Sequence, residues 1–492
     1  MGVPRRFRYL VVLAGLLSLI AILTVLAIGG NTRLDQVAGK LNEYGLDKLQ
    51  KNFPVTTDNK APKKDSDQEP LNSVLVSDDE DDDSVEGYDA DGDDEDQDDD
   101  YNDRRGDYRE IFSLTTRDRK FFPIFFAGDD AYNPNIIPHP TRHDLWIVVA
   151  QHEQSKEQIS VSGELVCEAG FLDGVLVCTD APTILPISPS ISGVCPDDLA
   201  FMNFRSGPRD ARMFYGPDGP LIAYGSQSQY ACLGIWIQDV RMLLESFHLE
   251  RFAVAKLFKS ATEVQRPPPW HGIEKNFFLF WDLQGKTYVH HDLYHDLVPE
   301  RVFAELDFDG SVSENLAPKT AAEDQACMSS LMPIAAPEYE SIHQATNTLS
   351  ITMCKRADLK CVPNEHNTYI MHIFHHKTYY TFHGIYEPYV LLMKSSAPFA
   401  IHAISQRPLW IHGRNSLTKL TGSLQYEGRP ESDIPEGHTE MFYITSISWK
   451  GHGQKYHGYM DDVLFLAFGI EDTRAAAIDV KAGDLLQDLA FC

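Results

Sequence analysis

Along most of the chain, apolar residues occur in short runs separated by turn residues, and this pattern predicts β strands. From Ile111 onward the runs are bounded by Gly, Pro, Asp or Asn. Examples are LWIVVAQ (Leu145–Gln151), PLIAYGS (Pro220–Ser226), FFLFWD (Phe277–Asp282), TYYTFHG (Thr378–Gly384) and VLFLAFG (Val463–Gly469). Helical periodicity is weak outside Val240–Lys259 and the segment AGDLLQDL near the end of the chain. We therefore expect an all-β fold over residues 111–492.

The first apolar run has a different character. Tyr9–Gly29 contains no charged residue and is about long enough to cross a bilayer as a helix. Arg5, Arg6 and Arg8 precede the run, and basic residues tend to stay on the cytoplasmic side of a membrane. The sequence thus predicts a type II signal anchor: a cytoplasmic tail at 1–8, a transmembrane helix at 9–29 and a lumenal remainder.

The formal net charge of −29 is concentrated in one segment. Asp78–Asp100 holds sixteen acidic residues and no basic ones. Because residues 30–110 are also poor in aromatics, they are predicted to form a disordered acidic stem. The eight cysteines follow this stem, as suits an oxidising compartment, at positions Cys167, Cys178, Cys195, Cys232, Cys327, Cys354, Cys361 and Cys492. Cys167/Cys178 and Cys354/Cys361 are close enough in sequence to close local loops.

Five zones of the predicted β region follow one order of residues. Each has a polar motif, a strand, a turn with Gly or Asp, and then an apolar strand. The zones begin near Asn133, Asp210, Lys275, Tyr369 and Ile444. Repeated units of this kind are typical of a propeller, whose inner strands bring polar residues to a central axis. The prediction is a five-bladed β-propeller over residues 111–492.

Four of the polar motifs resemble those of the bacterial β-mannoside phosphorylases and β-1,2-mannosidases. YNPNIIPHPTRHDLWIVVAQ resembles their first-blade pattern, and DARMFYGPDGPLIAYGS resembles their Asp-Pro-Arg strand with Ala211 in place of Pro. EKNFFLFWDLQGKTYVHHDLYHDLVPERVF resembles their Lys-Asn strand and returning His, although His291-Asp292 stands where His-Arg-Pro is common. AFGIEDTRAAAIDV is similar to their Gly-x-x-Asp-Thr motif.

Together with the predicted anchor and stem, these motifs resemble the fungal β-mannosyltransferases. The resemblance implies an inverting mannosyltransferase of the Golgi membrane that moves mannose from a nucleotide-mannose donor to a mannoside or glycan acceptor. It implies no cofactor and no nucleic-acid partner. The sugar is supplied by the resemblance alone.

Within this hypothesis, Asp210 is the expected catalytic base. Alternate residues on a strand share a face, so Asp210 and Arg212 are predicted to point the same way. A neighbouring guanidinium favours an ionised carboxylate, which suits a group that takes a proton from the acceptor hydroxyl. In the phosphorylases the matching residue acts as the acid, so reversibility makes it the base in synthesis. A plain surface ion pair is the alternative.

The remaining candidate residues are assigned by the same motifs. Arg212, Lys275 and His291 would bind the diphosphate without a metal, since cations hold phosphate oxygens. Asn133, Asn276 and Asp472 would bind sugar hydroxyls. No metal site is predicted, because the histidines of Met371–Gly384 have no tight ligand spacing and Asp307-Phe308-Asp309 fits a turn.

Two other functions stay open at this point. The chain could be a degradative β-mannoside phosphorylase or hydrolase, against which the predicted anchor and stem argue. It could also be a non-catalytic glycan-binding protein, against which the polar motifs at matching blade positions argue.

Overall fold

The structure is a computed structural model that describes residues 107–156, 159–188, 190, 195–247, 258–294, 300–336, 339–380, 383–415 and 438–492. β strands predominate in these residues, which confirms the predicted all-β class. The predicted tail and membrane span, and the stem as far as residue 106, lie outside the described residues.

No helix within the described ranges is long and apolar enough to cross a membrane. The longest helix there, Ala321–Leu331, has eleven residues and carries Glu323 and Asp324. This finding contradicts the predicted localisation as a single-pass Golgi membrane protein, and that prediction is withdrawn. The span predicted at 9–29 is itself outside the described residues.

The strands of the first half of the domain are numbered in chain order. Strands β1–β8 are Arg109–Ile111, Phe122–Phe125, Tyr132–Pro138, Trp146–Lys156, Ile159–Leu172, Val175–Cys178, Thr183–Ile184 and Arg205–Ser206. Strands β9–β15 are Arg209–Tyr215, Pro220–Gln227, Leu233–Asp239, Thr262–Val264, Phe278–Trp281, Thr287–Asp292 and Val302–Glu305.

The second half continues the numbering. Strands β16–β21 are Glu340–Gln344, Leu349–Thr352, Thr368–Tyr380, His383–Lys394, Ile401–Ser405 and Leu409–Ile411. Strands β22–β26 are Phe442–Trp449, His457–Tyr459, Val463–Ile470, Arg474–Lys481 and Leu489–Phe491. Helices α1 and α2 are Ala321–Leu331 and Ala482–Leu485, and 3-10 helices cover Asp197–Phe204, Val240–Met242 and Ala317–Lys319. Of the helix expected over 240–259, the described residues contain two short 3-10 turns, at 240–242 and 245–247.

These strands form antiparallel sheets with a few parallel additions. The orders are β12-β11-β10-β9, β13-β14-β15, and β23-β17-β18-β19-β20-β26 with β16 beside β18. A larger sheet runs β22-β24-β25-β2-β6-β5-β4-β3, with β7 and β8 beside β5, and β1 pairs with β21. The chain's last strands thus join its first ones, as ring closure in a propeller requires.

Neighbouring sheets are tied together by buried asparagines. Asn135 of β3 donates from Nδ2 to the Ala211 carbonyl (2.7 Å) and accepts at Oδ1 from the Met213 amide (3.1 Å). Asn347 repeats this pair of bonds on one residue, donating to the Ile447 carbonyl (2.9 Å) and accepting from its amide (3.1 Å). A buried amide can satisfy a strand's donor and acceptor together, so each Asn fixes the register between two sheets.

The cysteines form four disulfides: Cys167–Cys178, Cys195–Cys232, Cys327–Cys492 and Cys354–Cys361. The two local pairs expected from sequence are therefore present. The other two join segments that are distant in the chain, which no spacing rule could have selected.

Candidate functional site

Four of the predicted site residues share an unusual backbone conformation. Asn133, Asp210, Asn276 and Asp472 have φ angles of 53°, 48°, 60° and 47°. Non-glycine residues seldom adopt the left-handed region, and such strain concentrates at functional sites. The short polar side chains of Asn and Asp tolerate it best. The motifs thus mark positions where the chain turns sharply as it enters or leaves a strand.

At Asn133 and Asp210 the left-handed residue coincides with a β-bulge. The pairing of β3 with β4 shifts between Tyr132 and Asn135, and that of β9 with β10 shifts across Gly225 and Ala223. A bulge breaks the alternation of faces and re-aims a side chain. The side chains of Asp210 and Arg212 form no ion pair within the described residues, and Arg212 Nη1 donates instead to the Asp210 carbonyl (2.7 Å).

A group of carboxyls lies where these motifs converge. Asp472 accepts a hydrogen bond from the Asn133 side chain and is close enough to Asp210 to feel its charge. Crowding by protein, and then the charges of Asp210 and Glu471, raise the pKa of Asp472 to about 6. The residue is nevertheless exposed to solvent. The charges of its neighbours thus let Asp472 hold its proton closer to neutral pH than an isolated carboxyl would.

Three tyrosines surround the carboxyls. Burial raises the pKa of Tyr132, Tyr386 and Tyr443, and the charges of Asp210 and Asp472 raise it further. Tyr386 and Tyr443 pack edge to face with ring centroids 5.0 Å apart. Their phenols therefore stay protonated and can donate hydrogen bonds to a ligand oxygen.

Arg212 occupies the centre of the site but is largely used by the protein. Its Nε donates to the Ala345 carbonyl (2.6 Å), and its Nη2 donates to Asn276 Oδ1 (2.8 Å) and to the Tyr443 hydroxyl (3.4 Å). With the bond to the Asp210 carbonyl, four of its five N–H groups are engaged. The predicted phosphate-binding role stays a prediction, and the geometry leaves one donor for it.

Two lysines provide positive charge on the open side. Lys275 is exposed and makes no hydrogen bond or ion pair with any described residue. Lys377 of β18 is half-buried, with its Nζ 5.3 Å from the Tyr386 ring centroid. Burial and then the charge of Lys275 lower the pKa of Lys377, whereas Asp472 opposes the shift. Two neighbouring ammonium groups that repel each other favour a bound anion.

His291 lies apart from these charges. The ring is buried, its Nε2 bonds the Gln265 carbonyl (2.9 Å), and it packs edge to face on Phe277. Burial is the main cause that lowers the pKa of His291 to about 3. A neutral imidazole adds no positive charge, so its predicted role in binding phosphate gains no support from its surroundings. His290 is buried as well, between Phe278 and Phe303.

Sequence reasoning did not single out several residues of the site. Lys377 lies in the histidine-rich stretch that was examined for metal ligands, and Tyr386 lies on the next strand of that hairpin, opposite Lys377. Gln151 and Tyr132 border the first-blade motif. A search of the described residues finds no group of three or more His, Cys, Asp or Glu side chains that could hold a metal.

Comparison with known proteins gives likenesses of fold. No family model matches the chain, and no curated protein sequence matches it. A β-1,2-mannobiose phosphorylase from Listeria innocua is 11% identical, with a TM-score of 0.40, over 73% of this chain and 92% of its own. A mannose phosphorylase from Leishmania mexicana, in complex with phosphate, is 10% identical, with a TM-score of 0.38, over 76% and 92%. A glycosyl hydrolase from Bacteroides ovatus is 11% identical, with a TM-score of 0.37, over 72% and 85%.

These solved structures are phosphorylases and a hydrolase, which agrees with the sequence resemblance in fold. They contradict the prediction of a nucleotide-sugar mannosyltransferase, which is therefore corrected. The physical reason for the error is that a site that forms a β-mannoside and a site that cleaves one must both bind the sugar and the glycosidic oxygen. The motifs do not distinguish synthesis from cleavage, and synthesis was inferred from the predicted membrane anchor.

Proposed function

We propose that this chain is an enzyme that cleaves β-mannosides, with inorganic phosphate as the attacking group. The observation that carries the proposal is the interacting pair Asp210 and Asp472 beside the neighbouring lysines Lys275 and Lys377. A carboxyl pair near neutral pH can hold the proton that a leaving alcohol needs. The lysines can hold the anion that attacks. The mannoside specificity rests on the resemblance of the motifs.

The proposed reaction is a single inverting displacement. A phosphate oxygen attacks the anomeric carbon while the bond from that carbon to the glycosidic oxygen breaks. The Asp210 carboxyl gives its proton to the departing oxygen, so the products are mannose 1-phosphate of inverted configuration and an alcohol. Asn133, Asn276 and Asp472 would bind the sugar hydroxyls, and the tyrosine hydroxyls would border them.

Hydrolysis is the second candidate, and it differs only in the nucleophile. The lysine pair favours phosphate over water, because a neutral water gains little from two adjacent cations, whereas a phosphate dianion gains a charge-assisted bond from each. We further propose five blades around the site, formed by β3–β8, β9–β12, β13–β15, β16–β20 and β22–β25 with β2.

The leaving group tests the acid. Asp210→Asn should lower turnover of a mannobiose roughly 100- to 10,000-fold. An aryl mannoside with a good leaving group needs no protonation, so the variant should cleave it at a near-normal rate. Asp472→Asn, if that residue binds the sugar, should impair both substrates equally. The control is Asp173→Asn, since Asp173 is also an exposed aspartate with a φ of 48° and lies in the β5–β6 turn.

The outcomes separate the assignments. If Asp472→Asn loses turnover of mannobiose but still cleaves the aryl mannoside, Asp472 and not Asp210 is the acid. Normal turnover of mannobiose by both variants, or no cleavage of any mannoside by the unaltered protein, would refute the proposal.

The nucleophile is tested by the product. In phosphate buffer the enzyme should release mannose 1-phosphate, and Lys275→Ala or Lys377→Ala should raise the KM for phosphate about 10-fold or more. Lys286→Ala is the control, because Lys286 is exposed and pairs with Glu305 at 2.6 Å. Free mannose as the sole product, at a rate independent of phosphate, would favour the hydrolase.

A further inference from the structure

The main chain at Asp210 is held by two side chains of the preceding sheet. The Asp210 amide donates to Gln151 Oε1 (2.7 Å), and the next amide, that of Ala211, donates to Glu164 Oε1 (3.3 Å). Gln151 of β4 and Glu164 of β5 are direct cross-strand partners. Both are buried, with 5% and 0% of their surfaces exposed. Two adjacent acceptors on one sheet thus bind two consecutive donors of another.

Further contacts fix the same segment. Gly207 lies so close to β5 that a Cβ added there would be 1.9 Å from the Ser162 carbonyl oxygen. On the other side, Asn135 bonds the Ala211 carbonyl and the Met213 amide. Residues 207, 210, 211 and 213 at the start of β9 therefore all contact the sheet that contains β3, β4 and β5.

We propose that Gln151 and Glu164 are positioning residues, which act through the Asp210–Ala211 main chain to keep Asp210 left-handed and its carboxyl aimed at the glycosidic oxygen. A left-handed aspartate is strained, and it persists only where the surroundings over-determine it. The part of this inference that aims the carboxyl at the glycosidic oxygen rests on the proposed function. The part in which Gln151 and Glu164 hold the main chain, here called the clamp, does not.

The state of Glu164 guides the choice of variants. Its Oε2 is buried without a hydrogen-bond partner among the described residues, and burial raises the pKa of Glu164 well above its usual value. A neutral acid is closely mimicked by glutamine, so Glu164→Gln should preserve the clamp. Glu164→Met and Gln151→Met keep the volume and remove the acceptor.

The matched control is Asn347→Leu. It removes two buried bonds to Ile447 of β22, which also join neighbouring sheets, and among the described residues Asn347 makes no bond to the Asp210 segment. If Gln151 and Glu164 only stabilise the fold, the loss of buried bonds at any of these positions should change stability and kcat in the same way.

The test measures kcat, KM and the unfolding midpoint for mannobiose cleavage by each variant. Gln151→Met and Glu164→Met should lower kcat about 10- to 100-fold with KM within about twofold, because a small misplacement of a catalytic group has that effect. Glu164→Gln should restore kcat, and Asn347→Leu should lower the midpoint as much while leaving kcat near normal. Equal loss of kcat in Asn347→Leu, or unchanged kcat in both Met variants, would overturn the proposal.

A crystal structure of each Met variant separates this inference from the proposed function. Residue 210 should leave the left-handed region, and this holds even if the unaltered protein cleaves no mannoside. A variant in which φ of Asp210 stays near 48° refutes the clamp whatever the activity. If Gln151→Met does not fold, Glu164→Met compared with Glu164→Gln decides the question alone.

Discussion

The main effect of replacing Arg212 by Ala should be a lower free energy of unfolding, and not a weaker affinity for a ligand. Arg212 is 4% exposed, and its guanidinium joins three parts of the chain: the Ala345 carbonyl, the Asp210 carbonyl and the Asn276 side chain, at 2.6, 2.7 and 2.8 Å. Alanine would leave all three acceptors without this donor. Arg212 is therefore a structural hub of the site, in addition to any role toward a ligand.

The magnitude follows from these three bonds. A hydrogen bond to a charged group contributes about 1.5–3 kcal/mol to stability, so three of them set a range of about 4.5–9 kcal/mol. Water can reach the half-buried Asn276 and replace part of the loss. We expect a decrease of about 4–6 kcal/mol in the free energy of unfolding, at the extreme end for a single substitution. Lysine at this position reaches fewer acceptors, so Arg212→Lys should lose about half as much.

The assay is urea unfolding followed by tryptophan fluorescence, with phosphate binding measured on the folded fraction. Lys275→Ala is the matched control: the lysine is exposed and bonds no described residue, so its loss should change stability by less than about 0.5 kcal/mol. A folded Arg212→Ala within about 1 kcal/mol of the unaltered protein, but without phosphate affinity, would refute the hub and restore the predicted ligand role.

Two further predictions concern Asp472. Cleavage requires the proton held by the carboxyl pair, so kcat/KM should fall as pH rises through about 6. Glu471→Gln should move this fall in kcat/KM to lower pH, because it removes a charge that raises the pKa of Asp472. A fall that stays at the same pH would contradict the interaction between Glu471 and Asp472. Gly469→Ala would put a Cβ 2.2 Å from Asn133 Oδ1 and push that side chain from Asp472. The KM for mannobiose should rise about fivefold or more, as for one lost hydrogen bond, and an unchanged KM would exclude a role for Asn133 in the sugar site.

Several features of the site could not be predicted because they depend on main-chain geometry. The motif DARM placed Asp210 and Arg212 on one face by strand alternation, but the bulge at Asp210 breaks that alternation. A bulge is set by how β9 docks on the neighbouring sheet, through residues such as Gln151 that are far away in sequence. Lys377 was not predicted for the same reason, because its proximity to Lys275 depends on the packing of separate sheets.

The sequence by itself determined the class of fold and the places where polar groups enter it. Short apolar runs separated by frequent turn residues favour strands, and Asn or Asp at strand ends tolerates the left-handed turns observed at four predicted site residues. Tertiary structure alone decided which of these groups interact. The charge shared by Asp210 and Asp472, the engaged donors of Arg212 and the open lysine pair all depend on distances between separate sheets, and local patterns do not specify distances of that kind.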